Sequence, residues 1–427
     1  MSPTEPFQTI RREIAGLAIE QLVSQFGTPS YIYDGQTIVT RLRELDQFDV
    51  VRYAMKANSN LAIIDLVRQH GGRVDTVSAG EIQRAQAAGF RLAGSHLGEE
   101  AIPEVVYTAD IFDQQALQLV LEHDLHVNVG SLDMIDQLGQ QRRGGDISLR
   151  INPGFGHGHS QKTNTGGEQS KHGIWHEQLA DCIERAARYD IQISGLHMHI
   201  GSGTDLEHLG RVCDSMLTAA LAVGDSVHSI SAGGGLPVPY RDDEEFMDLG
   251  RYYQLWDDVR QQLQQQSGHP ISLEIEPGRF LVAESGFLLS EIRAIKQMGD
   301  NLYYLVDAGF NNLARPILYG AYHPISIVPA DDTPRQDQQV IVGGPLCESG
   351  DIFTQQEGGF VSSRVLPRAD IGEYLVLESA GAYGAVMGSN YNSKPFAAEV
   401  LLLNGQAQLV RERQSFTDLV RGERIPD

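Results

Sequence analysis

Apolar residues in this chain come in short runs separated by longer stretches of a different rhythm. Eight such runs span residues 50–57, 73–78, 105–111, 126–131, 147–153, 193–200, 228–235 and 271–278. Between most of them apolar positions recur at helical spacing, as in residues 63–70, 80–89, 114–123, 176–189 and 209–223. Strands alternating with helices at this length predict a (β/α)8 TIM-type barrel over residues 30–280. Ile10, Ile14, Leu17, Ile19, Leu22 and Val23 predict an amphipathic helix over 7–26, closed by Gly27.

The rhythm changes after the barrel. Runs at 287–295, 302–307, 340–343, 374–379 and 399–403 are short and separated by Gly, Pro and Asp, with no long helical stretch among them. They predict a C-terminal antiparallel β domain, built from 281–427 with 1–29 packed on it. Residues 329–337 read as a surface loop. Residues 154–173, rich in His, Gly, Ser, Thr and Lys, follow the fifth barrel strand. They read as a lid over the catalytic end, or as a loop without a role.

Composition narrows the function classes. At 427 residues, 41% of them hydrophobic, the chain is long enough for two domains with sizeable cores. A net charge of −23 argues against nucleic acid or an anionic membrane as partner. No apolar run approaches a membrane span, and the first residues lack the profile of a signal peptide. Three scattered cysteines, Cys182, Cys213 and Cys347, fit a reducing compartment, so a cytoplasmic protein is expected. No Cys-x-x-Cys or His-Glu-x-x-His pattern suggests a metal.

Barrels of this kind carry their chemistry at the carboxyl ends of the strands. Here those ends hold Lys56, Asp75, Arg150, His199, Gly233-Gly234-Gly235 and Glu276. A lysine ending a buried strand has an apolar approach that lowers its pKa, which suits a Schiff base. The competing reading is a lysine snorkelling to the rim. The three glycines fall at the usual phosphate corner, or make a tight turn. His197 and His199 share a face; His199, nearer the strand end, is the functional candidate, and His197 a hydrogen-bonded core residue. In the second domain Cys347 lies beside Glu348 and Asp351, acids that disfavour a thiolate, so a proton donor is expected. Cys182 and Cys213 read as core. A Schiff-base lysine, phosphate-binding glycines and a carboxylate that can keep a ring nitrogen protonated describe a pyridoxal phosphate site suited to decarboxylation.

On these residues the chain resembles the alanine racemase-like, group IV (fold type III) pyridoxal phosphate decarboxylases, within them the diaminopimelate decarboxylases. The motifs are Tyr53-Ala54-Met55-Lys56-Ala57-Asn58, Val77-Ser78-Ala79-Gly80-Glu81, Arg150-Ile151-Asn152-Pro153-Gly154, His197-Met198-His199-Ile200-Gly201-Ser202, Gly233-Gly234-Gly235, Glu276-Pro277-Gly278-Arg279, Cys347-Glu348-Ser349-Gly350-Asp351 and Gly381-Ala382-Tyr383-Gly384. Residues 157–175 are similar to the branch found in enteric bacteria.

The resemblance implies that Lys56 carries the cofactor, His199 stacks on its ring and Glu276 pairs with its nitrogen. It implies phosphate contacts from Ser202, Gly234, Gly235, Gly278, Arg279 and Tyr383, with Asp75 and Arg150 also facing the cofactor. Arg279, Arg315, Tyr319, Glu348 and Tyr383 would bind substrate. Cys347 would come from the partner of a homodimer with shared sites and protonate the carbanion. The implied reaction converts meso-2,6-diaminopimelate to L-lysine and carbon dioxide, the last step of lysine synthesis.

Two arginines and an acid suit the retained carboxylate and ammonium of such a substrate. Gly203 and His172 depart from the commoner Gln and Phe. Three other readings compete: a decarboxylase of another amino-dicarboxylic acid, in siderophore or polyamine synthesis; a racemase, disfavoured by Glu276 where Arg is wanted; and a non-catalytic regulatory homologue.

Overall fold

The computed structural model describes residues 7–92, 102–155, 166–199 and 205–426. It divides into two compact units. One comprises Val39–Pro237 with Met247–Phe280, the other Met1–Ile38, Val238–Phe246 and Leu281–Asp427.

The first unit is a closed barrel of eight parallel strands: β1 (Val50–Ala54), β2 (Arg73–Thr76), β3 (Val105–Ala109), β4 (His126–Val129), β5 (Asp146–Asn152), β6 (Gln192–His197), β7 (Ser229–Ser231) and β8 (Ser272–Ile275). The expected strands and their order are all present. β8 closes the ring on β1 through Glu274↔Val50 and Ile275↔Val51. The intervening helices include Leu61–Gln69, Ala79–Ala87, Gln114–His123, Leu179–Arg188 and Leu206–Val223. Asn60, Ser78, Asp113 and Asp205 cap four of them with side-chain acceptors, which is why those helices start where they do.

Apolar residues on the outer faces of the strands, such as Val74, Ile147, Leu149, Leu196, Ile230 and Leu273, are buried in the layer between strands and helices. The inner face is polar. Arg52 spans the closing seam to Glu274, with Nε–Oε2 at 2.6 Å, and donates to the Pro103 carbonyl at 2.7 Å. His126 meets Ser148 at 2.8 Å, and Asn128 donates to Thr108 at 2.7 Å.

A bulge in β6 decides which residues join that interior. Ile193 pairs with Ile147, but Gly195, two residues on, pairs with Ser148. The slip absorbs Ser194 and turns Gly195 and His197 inward. Gly195 must lack a side chain: a Cβ there would overlap Ser148 Oγ and lie 2.6 Å from Ser229 Oγ.

The second unit holds an antiparallel-rich sheet. Its long strand Gly286–Met298 pairs antiparallel with Asn301–Val306, Tyr374–Leu377 and Ser30–Asp34. Two pairings are parallel, Asn301–Val306 with Asp337–Gly343 and Ala398–Leu403 with Ser30–Asp34. Ser30–Asp34 thus lies between Gly286–Met298 and Ala398–Leu403, not among the barrel strands.

The predicted helix over 7–26 is corrected. Only Ile19–Phe26 is helical, and Glu13–Ile14 and Leu17–Ala18 form a hairpin before it. Ala15 and Gly16, at φ of 49° and 77°, make the two-residue turn that interrupts the helical spacing. Ile14, Ile19 and Leu22 pack with Leu289, Val328, Val376, Val400 and Leu402. Among the described residues no helix is long and apolar enough to cross a membrane.

Candidate active site

The carboxyl ends of the barrel strands gather Lys56, Asp75, Arg150, His199, the glycine run, Glu276, Gly278 and Arg279 in one unit. Glu276 follows β8 and is buried. Its Oε2 accepts from His197 Nε2 at 2.6 Å and its Oε1 from Ser231 Oγ at 3.1 Å. Burial alone raises a carboxyl pKa, but the charge and hydrogen bond of His197, the Arg52 charge and the Ser231 hydroxyl outweigh it and hold Glu276 at about 2. An ionised carboxylate only accepts, so the shared hydrogen belongs to His197 Nε2.

Asp75, on β2, goes the other way. Burial and the neighbouring Glu276 charge push it up to about 8, against the opposing Lys56 charge and a hydrogen bond with Thr108. Its Oδ1 has no hydrogen-bond partner among the described residues.

The glycine run after β7 packs between two of these groups. Gly234 donates its N–H to His199 Nδ1 at 3.2 Å, and the Gly233 carbonyl accepts from Glu276 N at 2.8 Å. Gly233 has φ of 63°, and a Cβ there would sit 2.8 Å from the His199 Cβ, so only glycine fits. Burial, with the Lys56 and Arg150 charges, lowers the His199 pKa well below the usual range. The imidazole is therefore neutral.

Lys56 lies in the 3-10 turn Met55–Ala57 that ends β1. Of the two readings of this lysine the rim position is the one found: Lys56 is exposed, because the turn carries it off the strand while Met55 and Ala57 on either side are buried. Its charge bears on Asp75, Glu81 and His199. Arg150 is buried at the end of β5 and makes no ion pair among the described residues. Ser202 and Gly203 lie outside the described residues. The described residues of the 154–173 stretch are tied to the barrel. Asn152 Oδ1 accepts from Gly154 and Gly167, its Nδ2 donates to the Gly167 and His172 carbonyls, and His172 Nδ1 donates to Asp110 at 2.7 Å.

The remaining candidates belong to the second unit. Arg315 opens the short helix Arg315–Tyr319 and is buried, with Tyr319 half-buried at its end. Cys347 and Glu348 are exposed on a turn held from beneath by Asp351, which accepts from Leu346 N at 2.8 Å and Phe310 N at 2.7 Å. Asp351 is therefore not a second acid flanking the thiol, since its carboxylate is spent on the N–H groups of Leu346 beside the turn and of Phe310 from another segment. Tyr383 has φ of 56°, a conformation costly for an aromatic residue and often found at functional sites. Cys182 and Cys213 are buried, and burial pushes both thiols up to about 12.

His197 is the hydrogen-bonded core residue expected, though its partner Glu276 is not read from the sequence; Tyr240 and His323, against Arg315, are missed there. The spacing of His197 and His199 hinted at the first; nothing local marks the others.

The chain is similar to known proteins over most of its length. Residues 36–283 match the family model of the pyridoxal-dependent decarboxylase, pyridoxal binding domain. The chain is 52% identical to the diaminopimelate decarboxylase of Escherichia coli K12 over 94% of each chain. It is 47% identical to that of Streptomyces coelicolor over 100% of this chain and 97% of the relative. A crystal structure of diaminopimelate decarboxylase superposes with a TM-score of 0.89 at 51% identity, covering 94% of this chain and 95% of the other. With such identity across nearly its whole length, and with the barrel ends built as they are, the chain belongs to the diaminopimelate decarboxylase family of pyridoxal-dependent decarboxylases.

Proposed function

We propose that this protein decarboxylates meso-2,6-diaminopimelate to L-lysine and carbon dioxide, the last step of lysine biosynthesis. The observation that carries the reading is Glu276, a buried carboxylate kept ionised by His197 and Ser231 beside the glycine run.

The barrel ends fit pyridoxal phosphate. An ionised acid suits a protonated ring nitrogen, a neutral His199 suits the ring face, and the buried Arg150 suits an anion. Bound there, the cofactor supplies an electron sink for the pair left when the carboxylate departs as carbon dioxide.

The chain's own residues do the rest. Lys56 anchors the aldehyde and Glu276 keeps the proton on the ring nitrogen. Gly234, Gly235, Gly278, Arg279, Ser202 and Tyr383 would hold the phosphate, and Asp75 and Arg150 would face the cofactor. Arg279, Arg315 and Tyr319 take the carboxylate that stays, and Glu348 its ammonium. In a homodimer with shared sites, Cys347 of the partner subunit returns a proton to the carbon that lost its carboxylate.

Carbon dioxide release from meso-, LL- and DD-diaminopimelate, with lysine, ornithine and arginine alongside, tests the reading. Preference for the meso isomer with L-lysine as product supports it. Silence on that isomer with cofactor visibly bound would redirect it to another amino-dicarboxylic acid.

A further inference from the structure

Arg315 is 7% exposed, and a buried guanidinium needs its orientation set by neighbours. Two are in place. The guanidinium carbon lies 4.8 Å from the centre of the Tyr240 ring. Its Nη1 is 2.9 Å from His323 Nε2. His323 itself packs edge-on against Tyr240, at 5.5 Å and 82°, and its Nδ1 is 3.0 Å from the Glu378 carbonyl oxygen.

Donor and acceptor chemistry fixes the proton on this ring. A guanidinium only donates and a carbonyl only accepts. His323 must therefore accept from Arg315 at Nε2 and donate from Nδ1 to Glu378. It is neutral, in a single tautomer, and presents a lone pair to a cation.

The far end of the relay is equally constrained. The Glu378 N–H donates to the Pro324 carbonyl at 2.9 Å. Its carboxylate accepts from Arg11 Nε at 2.9 Å and Nη2 at 3.0 Å, and from Ser326 Oγ at 2.6 Å. The carbonyl that orients His323 is thus pinned on both sides.

We propose that His323 is a positioning residue for Arg315, and through it sets selectivity for molecules that carry a second carboxylate. Histidine is suited to this task. It occupies one edge of the guanidinium and fixes its plane without itself neutralising the charge, as a carboxylate in its place would. Tyr240 completes the arrangement by closing one face of the plane. The proposal rests on the reading of Arg315 as a ligand for the retained carboxylate.

The test uses the cofactor-loaded protein. Two inhibitors separate the ends of the ligand: L-lysine keeps the second carboxylate, and 1,5-diaminopentane lacks it. In His323→Phe, the KM for meso-diaminopimelate and the inhibition constant for L-lysine should rise roughly ten- to a hundredfold, the loss of one hydrogen bond to a charged group. The kcat should stay within about threefold, and inhibition by 1,5-diaminopentane and the cofactor's visible band should not change. His323→Gln, whose side-chain oxygen can accept from Arg315 while its amide donates to Glu378, should recover the wild-type KM within about threefold. In an Arg315→Ala background, His323→Phe should add nothing further.

An unchanged KM in His323→Phe, equal weakening of both inhibitors, or a full effect persisting without Arg315 would overturn the proposal. If His323→Phe does not fold, Tyr240→Leu carries the same expectation for the two inhibitors, and equal weakening there would overturn it. A wild-type protein silent on meso-diaminopimelate would overturn the functional reading instead, which the variants alone cannot do.

Discussion

Asp75 and Glu276 show how far neighbours can drive like side chains apart. Both are buried in one barrel, yet Glu276 titrates at about 2 and Asp75 at about 8. The consequences for stability have opposite signs. Glu276 is ionised more readily in the fold than in the unfolded chain, so it stabilises above about pH 4.5, and this is lost as pH falls toward about 2. Asp75 holds its proton in the fold to about pH 8, whereas the unfolded chain releases it near pH 4, so it costs progressively more as pH rises between these values. Asp75→Asn should therefore raise the melting temperature of the cofactor-free protein at pH 8 and leave it unchanged at pH 4. Melting curves shifted equally at both values would refute this.

Much of the site is readable residue by residue. Lys56, Asp75, Arg150, His199 and Glu276 each end an apolar run, and in a barrel such ends converge. The His323 contact with Arg315 is not readable in this way. Eight positions separate the two in sequence, and only a relay that ends on the Glu378 carbonyl reveals the role. Whether Lys56 is buried is likewise decided by a three-residue turn that no periodicity records.

Among the elements, the eight barrel strands are legible because each is bounded by turn residues and followed by helical spacing. Two features escape. The Ala15-Gly16 turn hides within a pattern that serves a helix as well as a hairpin. The β6 bulge hides because strict alternation, without it, would pair His197 with Ile151 on the outer face, far from Glu276. The bulge depends on the missing side chain at Gly195, so Gly195→Ala should destabilise by about 1–3 kcal/mol through overpacking against Ser148 and Ser229. Urea unfolding measures this. Because the same strand carries His197, the substitution should also weaken cofactor binding, and a variant with wild-type stability and affinity would contradict the role given to the bulge.

At the scale of the whole molecule the reading requires two copies. If the proton comes from the partner subunit, mixing inactive Lys56→Ala and Cys347→Ala subunits should restore roughly a quarter of wild-type activity, since half the dimers are mixed and each regains one site. No recovery after demonstrated subunit exchange would place both residues in one chain's site. Within a single site, Cys347→Ala should lower kcat far more than it raises KM, because protonation follows binding. Equal changes in both would count against a proton donor.

Ser30–Asp34 has a consequence in time. It leaves the ribosome before any barrel strand, and its partners, Gly286–Met298 and Ala398–Leu403, follow them all. Until then its hydrogen-bonding edges have no native neighbour, while the barrel strands that follow can pair in order. The second sheet therefore waits until the barrel strands have all been made, and a ribosome that stops before residue 398 leaves one edge of Ser30–Asp34 bare, a template for pairing between nascent copies.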